Sequence, residues 1–244
     1  MGNFFHTILF EPLFNLLIFF YNTIAFHDLG IAIILLTVTV RFVLYPLLYK
    51  SLHNQMIMQK IQPDIQKIQH DHKDNREKQA QMMMELWKQH KVSPFSGFLL
   101  LLVQLPFIII LYRIFLSDFS TTALSDLYSF VTNPGSINAT LLGFVNLHEK
   151  NLIIVAFAAI LQYYNGKQSL PKNAGAKPDD KGNKMARQMV FLGPIMTLLV
   201  LNRLPAAVGV YWATTSIFSI IQQWYISKEL NRKHNNGTDQ GKHN

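Results

Sequence analysis

Cysteine is absent from the 244-residue chain. Neither a disulfide framework nor a thiolate metal site is available, and thiol usage says nothing of the redox compartment. Charge is scarce too. Asp, Glu, Lys and Arg make up 15% of residues against 50% hydrophobic, and the mean hydropathy is +0.16, whereas soluble domains carry about a quarter charged residues. That imbalance implies an integral membrane protein. Catalytic signatures are missing as well: there is no HExxH, no GxSxG, no Walker A loop, no dinucleotide fingerprint and no pair of intramembrane carboxylates. The nine histidines are scattered. The closest pair, His70 and His72, lies in a polar stretch without further ligands, where a metal site needs three or four converging ones. The chain is therefore read as a non-enzyme with no metal or cofactor, and any energy coupling must come from a partner or from the membrane itself.

Five apolar runs could span a bilayer, at about 29–49, 94–116, 151–165, 187–203 and 206–227, and none contains Asp or Glu. The third offers only LIIVAFAAILQYY, short of the roughly 20 helical residues that a 30 Å hydrocarbon core requires. Its shortness fits local thinning of the bilayer or a helix packed inside a bundle. Lys and Arg cluster in 50–92, in 166–187 and after 227, so the positive-inside rule makes these segments cytoplasmic and the loop between the second and third spans external. An odd number of spans then gives an outside N-terminus and an inside C-terminus in a plasma (inner) membrane. Residues 1–28 admit two arrangements. Glu11 and Pro12 interrupt the apolar stretch, which favours a helix in the outer interface anchored by Phe4, Phe5, Phe14, Phe19, Phe20 and Tyr21; a sixth span would reverse the N-terminus.

Within this frame Arg41 stands out. It sits in LGIAIILLTVTVRFVL with no acidic partner in the spans, and an arginine at bilayer depth costs roughly 2.5–3.5 kcal/mol on insertion scales, so it normally faces a bundle interior or a watery cavity. Its bland reading is a side chain that snorkels toward the cytoplasmic surface. Other polar residues in the spans are Thr37, Thr39, Gln104, Gln162, Asn202, Thr214, Thr215, Ser216, Ser219, Gln222 and Gln223. Singly they join helices by hydrogen bonds; gathered around Arg41 they would line a wet, positively charged cleft.

The polar segment 51–92 has helical periodicity in both halves, with turn signals at DHKDN between them. Two antiparallel helices of about five turns each are expected, as an αα-hairpin. It carries Met56, Met58 and Met82 to Met84, together with Trp87. Methionine adapts to varied apolar partners, so Met56, Met83, Met84 and Trp87 are candidates for contacting clients; the alternative is that they hold the hairpin together. The Gly-, Pro- and Lys-rich loop from 166 and the basic tail 228–244 could touch ribosomal RNA or anionic lipid.

These motifs converge. TVTVRFVLYPL, ELWKQHKVSPFSG, LLLLVQLPF and PAAVGVYWATTSIFSIIQQW, in this order and topology, resemble the YidC-type membrane protein insertases and their mitochondrial and thylakoid relatives. The resemblance covers about residues 11–228. It implies an all-α fold: a five-helix transmembrane core over 29–227, with the cytoplasmic hairpin and an N-terminal interfacial helix. It also implies a hydrophilic groove open to cytoplasm and lipid. Arg41 matches the family's groove arginine, while Gln104, Trp212 and Tyr211 match positions lining or closing the groove, with Gln162 a further polar candidate. Implied partners are nascent membrane proteins, membrane lipids, the Sec translocon and the ribosome. The chain lacks the large periplasmic domain of the family's long members, so it resembles the short form, and it lacks the cysteine common near the N-terminus of short forms, which leaves the maturation of its N-terminus open. Two other classes fit the residues: a small anion transporter or channel using Arg41, and a passive assembly subunit. The prolines Pro46, Pro94 and Pro205 lie at span ends and Pro106 and Pro194 lack a paired repeat, which weighs against a transporter.

Overall fold

The computed structural model describes residues 6–93, 95, 105–112, 124, 126–168 and 181–240. Gln104, Phe4, Phe5, most of the second expected span and the loop at 169–180 lie outside the described residues. The architecture is helical with one minimal β-hairpin.

A π-helical turn, His6–Phe10, leads into α1 (Glu11–Thr23). Pro12 falls in the first turn of α1, where a missing N–H costs nothing because that donor has no intrahelical partner. The Glu-Pro pair that breaks the hydropathy pattern thus marks a helix start. Phe14, Leu17, Ile18 and Tyr21 follow at intervals of three and four and form one buried face against α2 (Leu29–Val43). This corrects the expected aromatic belt. Phe14 and Tyr21 are 0% and 2% exposed and belong to the core, whereas Phe19 remains on the surface. Hydropathy cannot assign an aromatic ring to lipid or to core when the whole helix is apolar.

The first expected span, 29–49, is not one straight helix. It breaks at Leu44, and α3 (Tyr45–Lys60) leaves α2 at 73°. Pro46 explains the break, since it has no N–H to donate and its ring collides with the carbonyl of Phe42. Among the described residues no single helix is long and apolar enough to cross a membrane; α2 and α3 pass that test only together. The expected two-helix hairpin is likewise built from three pieces: α3, then α4 (Gln62–Asp71) after a break at Ile61, then α5 (Arg76–Gln89). Pro63 in the first turn of α4 accounts for the second break. Asn75 caps α5 by accepting from the Lys78 amide at 3.0 Å.

The remaining elements are β1 (Thr140–Leu141), β2 (Val145–Asn146), α6 (Leu152–Gln168), α7 (Lys181–Leu201) and α8 (Ala206–Gln240). α6 packs against both α7 and α8. Small residues permit the close crossings: a side chain at Gly193 would press on Gln162, and one at Gly209 would collide with Ile154. α8 continues 13 residues beyond the expected span end at 227, into the polar tail. Phe191, Leu192, Ile195, Met196, Leu198 and Leu199 of α7 all remain exposed, a continuous apolar surface of the kind that a soluble monomer rarely tolerates.

One end of the bundle is capped. α1, the start of α2, the helical stretch 105–112, residues of 124–147 and the first turn of α8 share one buried core. Polar anchors tie the irregular segment down. Buried Asn15 donates to the Asp126 carbonyl at 3.0 Å and accepts from the Tyr128 amide at 2.6 Å. Asp28 caps α2 through the Ile31 amide at 2.9 Å and with its other oxygen accepts from Leu142 at 2.5 Å. The free amides at the start of α8 find partners here as well, Ala206 donating to Glu149 and Ala207 to Leu147. The β1–β2 connection has three residues, 142–144; the Phe144 amide donates to the Leu141 carbonyl at 3.1 Å, and the two residues inside that turn, Leu142 and Gly143, are at positive φ, +54° and +74°, where Asn-Gly is usual. Holding leucine there costs roughly 1–2 kcal/mol.

Candidate functional site

α2 and α8 both start at the capped end and therefore run parallel. Arg41 lies 13 residues after Asp28, and Ser219 lies 13 residues after Ala206, so at helical rise each is about 20 Å from the cap. Equal depth brings them together: the Arg41 guanidinium donates to Ser219 Oγ at 3.3 Å. Next to this pair Phe42 meets Phe218 edge to face, with centroids 5.4 Å apart. Arg41 is half-buried, and Tyr211, two turns before Ser219 on α8, is near enough to interact with its charge.

Tyr211, Thr215, Ser219 and Gln222 recur at intervals of four, four and three and so occupy one stripe of α8. Tyr211 is buried and stacks on Phe107 at 6.5 Å, which joins the stripe to the capped core. Gln222 is also buried, and neither atom of its amide makes a hydrogen bond to the described residues. An unpaired buried amide is costly, at about 1–3 kcal/mol, so it marks a place where the bundle offers polar groups beyond its own needs.

Trp212 and Ser216 lie beside this stripe on α8, and Gln162 reaches Ser216 from α6. The Ser216 hydroxyl donates to Gln162 Oε1 at 3.4 Å, and the Asn165 amide donates to the Ser216 carbonyl at 3.4 Å. These bonds tie α6 to α8 close to the Arg41 contact, since Ser216 and Ser219 are three residues apart and so neighbours on the helix surface. Trp212 packs against the buried cluster of Val155, Ala158, Leu201, Val208 and Ala213 between α6, α7 and α8. Thr37 donates to its own helix at Ile33, Thr214 likewise at Val210, and Asn202 is exposed at the turn between α7 and α8. Of the polar residues in the spans, Ser219 bonds to Arg41, and Ser216, three residues before it, bonds to Gln162.

Past Arg41 the α2–α3 bend reaches a second contact with α8. The Tyr49 hydroxyl donates to Glu229 Oε2 at 2.6 Å, and Tyr49 stacks on His53 and lies against Tyr45. Sequence reasoning passed over this pair, because Glu229 lies outside the apolar run and Tyr49 lies at its end. Its only signal was an acidic residue among the basic ones that follow Ser227.

In the hairpin Ile61, Ile65 and Val92 form a small core of their own, covered by Ile57, Met58, Met83, Leu86 and Trp87. Met83 and Trp87 thus hold the hairpin together. Met84 faces outward, 52% exposed, and Met56 is half-buried. Among the described residues no three His, Cys, Asp or Glu side chains converge as metal ligands.

Known proteins share this arrangement of sequence. The family described as 60Kd inner membrane protein matches residues 19–234. The membrane protein insertase YidC of Clostridium tetani is 30% identical over 213 residues, which cover 87% of this chain and 87% of that protein. The proteins of the same name from Chlamydia caviae and Nitratidesulfovibrio vulgaris are 31% and 32% identical over 84% and 91% of this chain, but the match covers only 26% and 39% of their own lengths. The chain thus spans a quarter to two fifths of these two longer relatives and most of the clostridial one. A match that takes in α2, the hairpin, α6, α7 and most of α8 makes the chain a member of the 60Kd inner membrane protein family.

Proposed function

We propose that this protein is an inner-membrane insertase, a chaperone that moves hydrophobic segments of nascent proteins into the bilayer without covalent chemistry. The observation that carries this reading is the asymmetry around Arg41. A half-buried guanidinium meets Ser219 of α8, and toward the cap the described residues close into an apolar core with Asn15 and Asp28 bonded to its loop backbone. Such a bundle offers a positive, partly hydrated groove that ends blind.

In this reading the five apolar runs are spans, with N-terminus outside and C-terminus in the cytoplasm, and the capped end faces outward. The break at Leu44 turns the chain from the membrane toward the cytoplasmic hairpin. A client's acidic outer tail enters beside Arg41 and is held partway across. At 4 Å and an effective dielectric of about 20 that attraction is about 4 kcal/mol, from which desolvation of both charges must be subtracted. Gln222 offers hydrogen bonds to client backbone, Gln104, Gln162, Tyr211 and Trp212 shape the groove, and Met84 and Met56 meet apolar client segments on the hairpin. The Sec translocon and the ribosome act as partners for longer clients.

Insertion of a single-spanning client with an acidic tail into Sec-free proteoliposomes tests the activity. The purified protein is expected to insert it above the level of empty liposomes, with no accompanying anion flux. Anion flux without insertion would make the protein a transporter, and neither activity would make it an assembly subunit.

A further inference from the structure

We infer that the tips of two neighbouring turns at the capped end, Phe26 and the Leu142–Phe144 turn, dip into the outer leaflet as a fixed apolar anchor. Phe26 is 89% exposed, Phe144 92% and Leu142 63%. Exposure alone would say little, but the backbone adds a second observation. Phe26 and Leu142 are both held at positive φ, +53° and +54°, where bulky side chains are outliers and turns favour Gly, Asn or Asp. At both turns an exposed apolar residue occupies a position where local conformation favours a polar one, and local and global preferences conflict in this way mostly at functional sites.

Nor are these tips loose. Asp28 joins the two turns, capping α2 on one side and accepting the Leu142 amide on the other. Leu141 presses on Gly30 so closely that a side chain there would collide with it, and the β2 side continues into the amides of Ala206 and Ala207. The segments 24–27 and 139–147 contain no Asp, Glu, Lys or Arg, so apart from the His27 ring the tips themselves offer nothing for a charged partner to pair with. Leu152 and Ile153, 70% and 80% exposed, begin the nearest apolar run in the first turn of α6, after the exposed Glu149 and Lys150. A lipid surface is the occupant that fits an uncharged, rigid, aromatic-tipped edge lying against spans. It would fix the depth of the cap, and with it the depth at which Arg41 sits.

This inference rests on the membrane topology proposed above, and the test separates the two. The chain has no cysteine, so single cysteines carrying a nitroxide label can be placed at Phe144, at Ile153 and at exposed Ser136 in the full chain reconstituted in phosphatidylcholine–phosphatidylglycerol vesicles. Collision with oxygen against a water-soluble nickel chelate reads depth. The label at 144 is expected to favour oxygen severalfold over that at 136, and Leu142→Asn in the same background, which suits the turn, is expected to shift it back toward water. A label at 144 as accessible to nickel as that at 136, with 153 still in lipid, overturns the anchor and leaves the topology standing. Aqueous values at both 144 and 153 overturn the topology and the anchor together. Spin–spin broadening at 144 that dilution with unlabelled protein removes would assign the surface to a second copy, against lipid.

Discussion

Replacing Asn15 by leucine should loosen the cap far more than its place in an apolar helix suggests. Asn15 is 2% exposed, and its side chain is the partner of two backbone groups in the irregular segment, the Asp126 carbonyl and the Tyr128 amide. Leucine would fill the space but leave both unpaired. Each buried orphan costs about 1–3 kcal/mol, and the added apolar surface returns about 1 kcal/mol, so a net loss of about 3 kcal/mol is expected. For a chain of this size that lowers Tm by roughly 6–12 °C. Thermal unfolding of the purified protein in detergent, followed by tryptophan fluorescence, measures it. Asn22→Leu is the comparison, because Asn22 makes a single bond to the Thr132 carbonyl on the surface and should cost under about 1 kcal/mol. A second readout is local: a cysteine placed at fully buried Leu147 should become alkylated faster in the Asn15→Leu background. The reasoning is refuted if Asn15→Leu unfolds within about 1 °C of wild type or costs no more than Asn22→Leu.

Three further predictions concern the opposite end. Tyr49→Phe removes the 2.6 Å bond to Glu229 and should cost about 1 kcal/mol, with a broader distance distribution between spin labels on α3 and α8; an unchanged distribution would mean that the hairpin base is positioned by other contacts. In the hairpin, Trp87→Ala should lower stability by about 2–3 kcal/mol because Trp87 covers the Ile61–Ile65–Val92 core. Met84→Ser should leave Tm unchanged and reduce client cross-linking to the hairpin, and equal cross-linking in both proteins would remove Met84 from the client surface.

Much of the architecture is legible in the sequence, because long apolar runs and basic loops are strong signals. Helices α6, α7 and α8 fall on the expected runs 151–165, 187–203 and 206–227 within a few residues at most ends, with α7 beginning earlier and α8 ending later. What hydropathy could not show is where backbone chemistry overrides composition. Pro46 breaks α2 from α3 inside an apolar run, and Pro63 divides the first arm of the hairpin. Facing was equally hidden. Phe14 and Phe19 are the same residue type on one helix, yet only the first lies toward α2. Arg41 was legible through its rarity, and Tyr211 through the family resemblance. The Ser219 contact required the parallel register of α2 and α8, which depends on the cap and on no local motif. The facing of Gln162 and Trp212 was hidden too, because helix rotation is invisible in sequence; Gln162 meets Ser216, and Trp212 packs against the cluster between α6, α7 and α8.

The central claim, that Arg41 draws acidic client tails into the groove, is tested most directly by a graded series. Clients that differ only in carrying none, one, two or three acidic residues in the outer tail would be inserted into Sec-free proteoliposomes by wild type and by Arg41→Ala. The account predicts equal insertion of the neutral tail by both proteins and a deficit in Arg41→Ala that grows with each acidic residue. A deficit of the same size for the neutral tail, or none for the most acidic one, would contradict it.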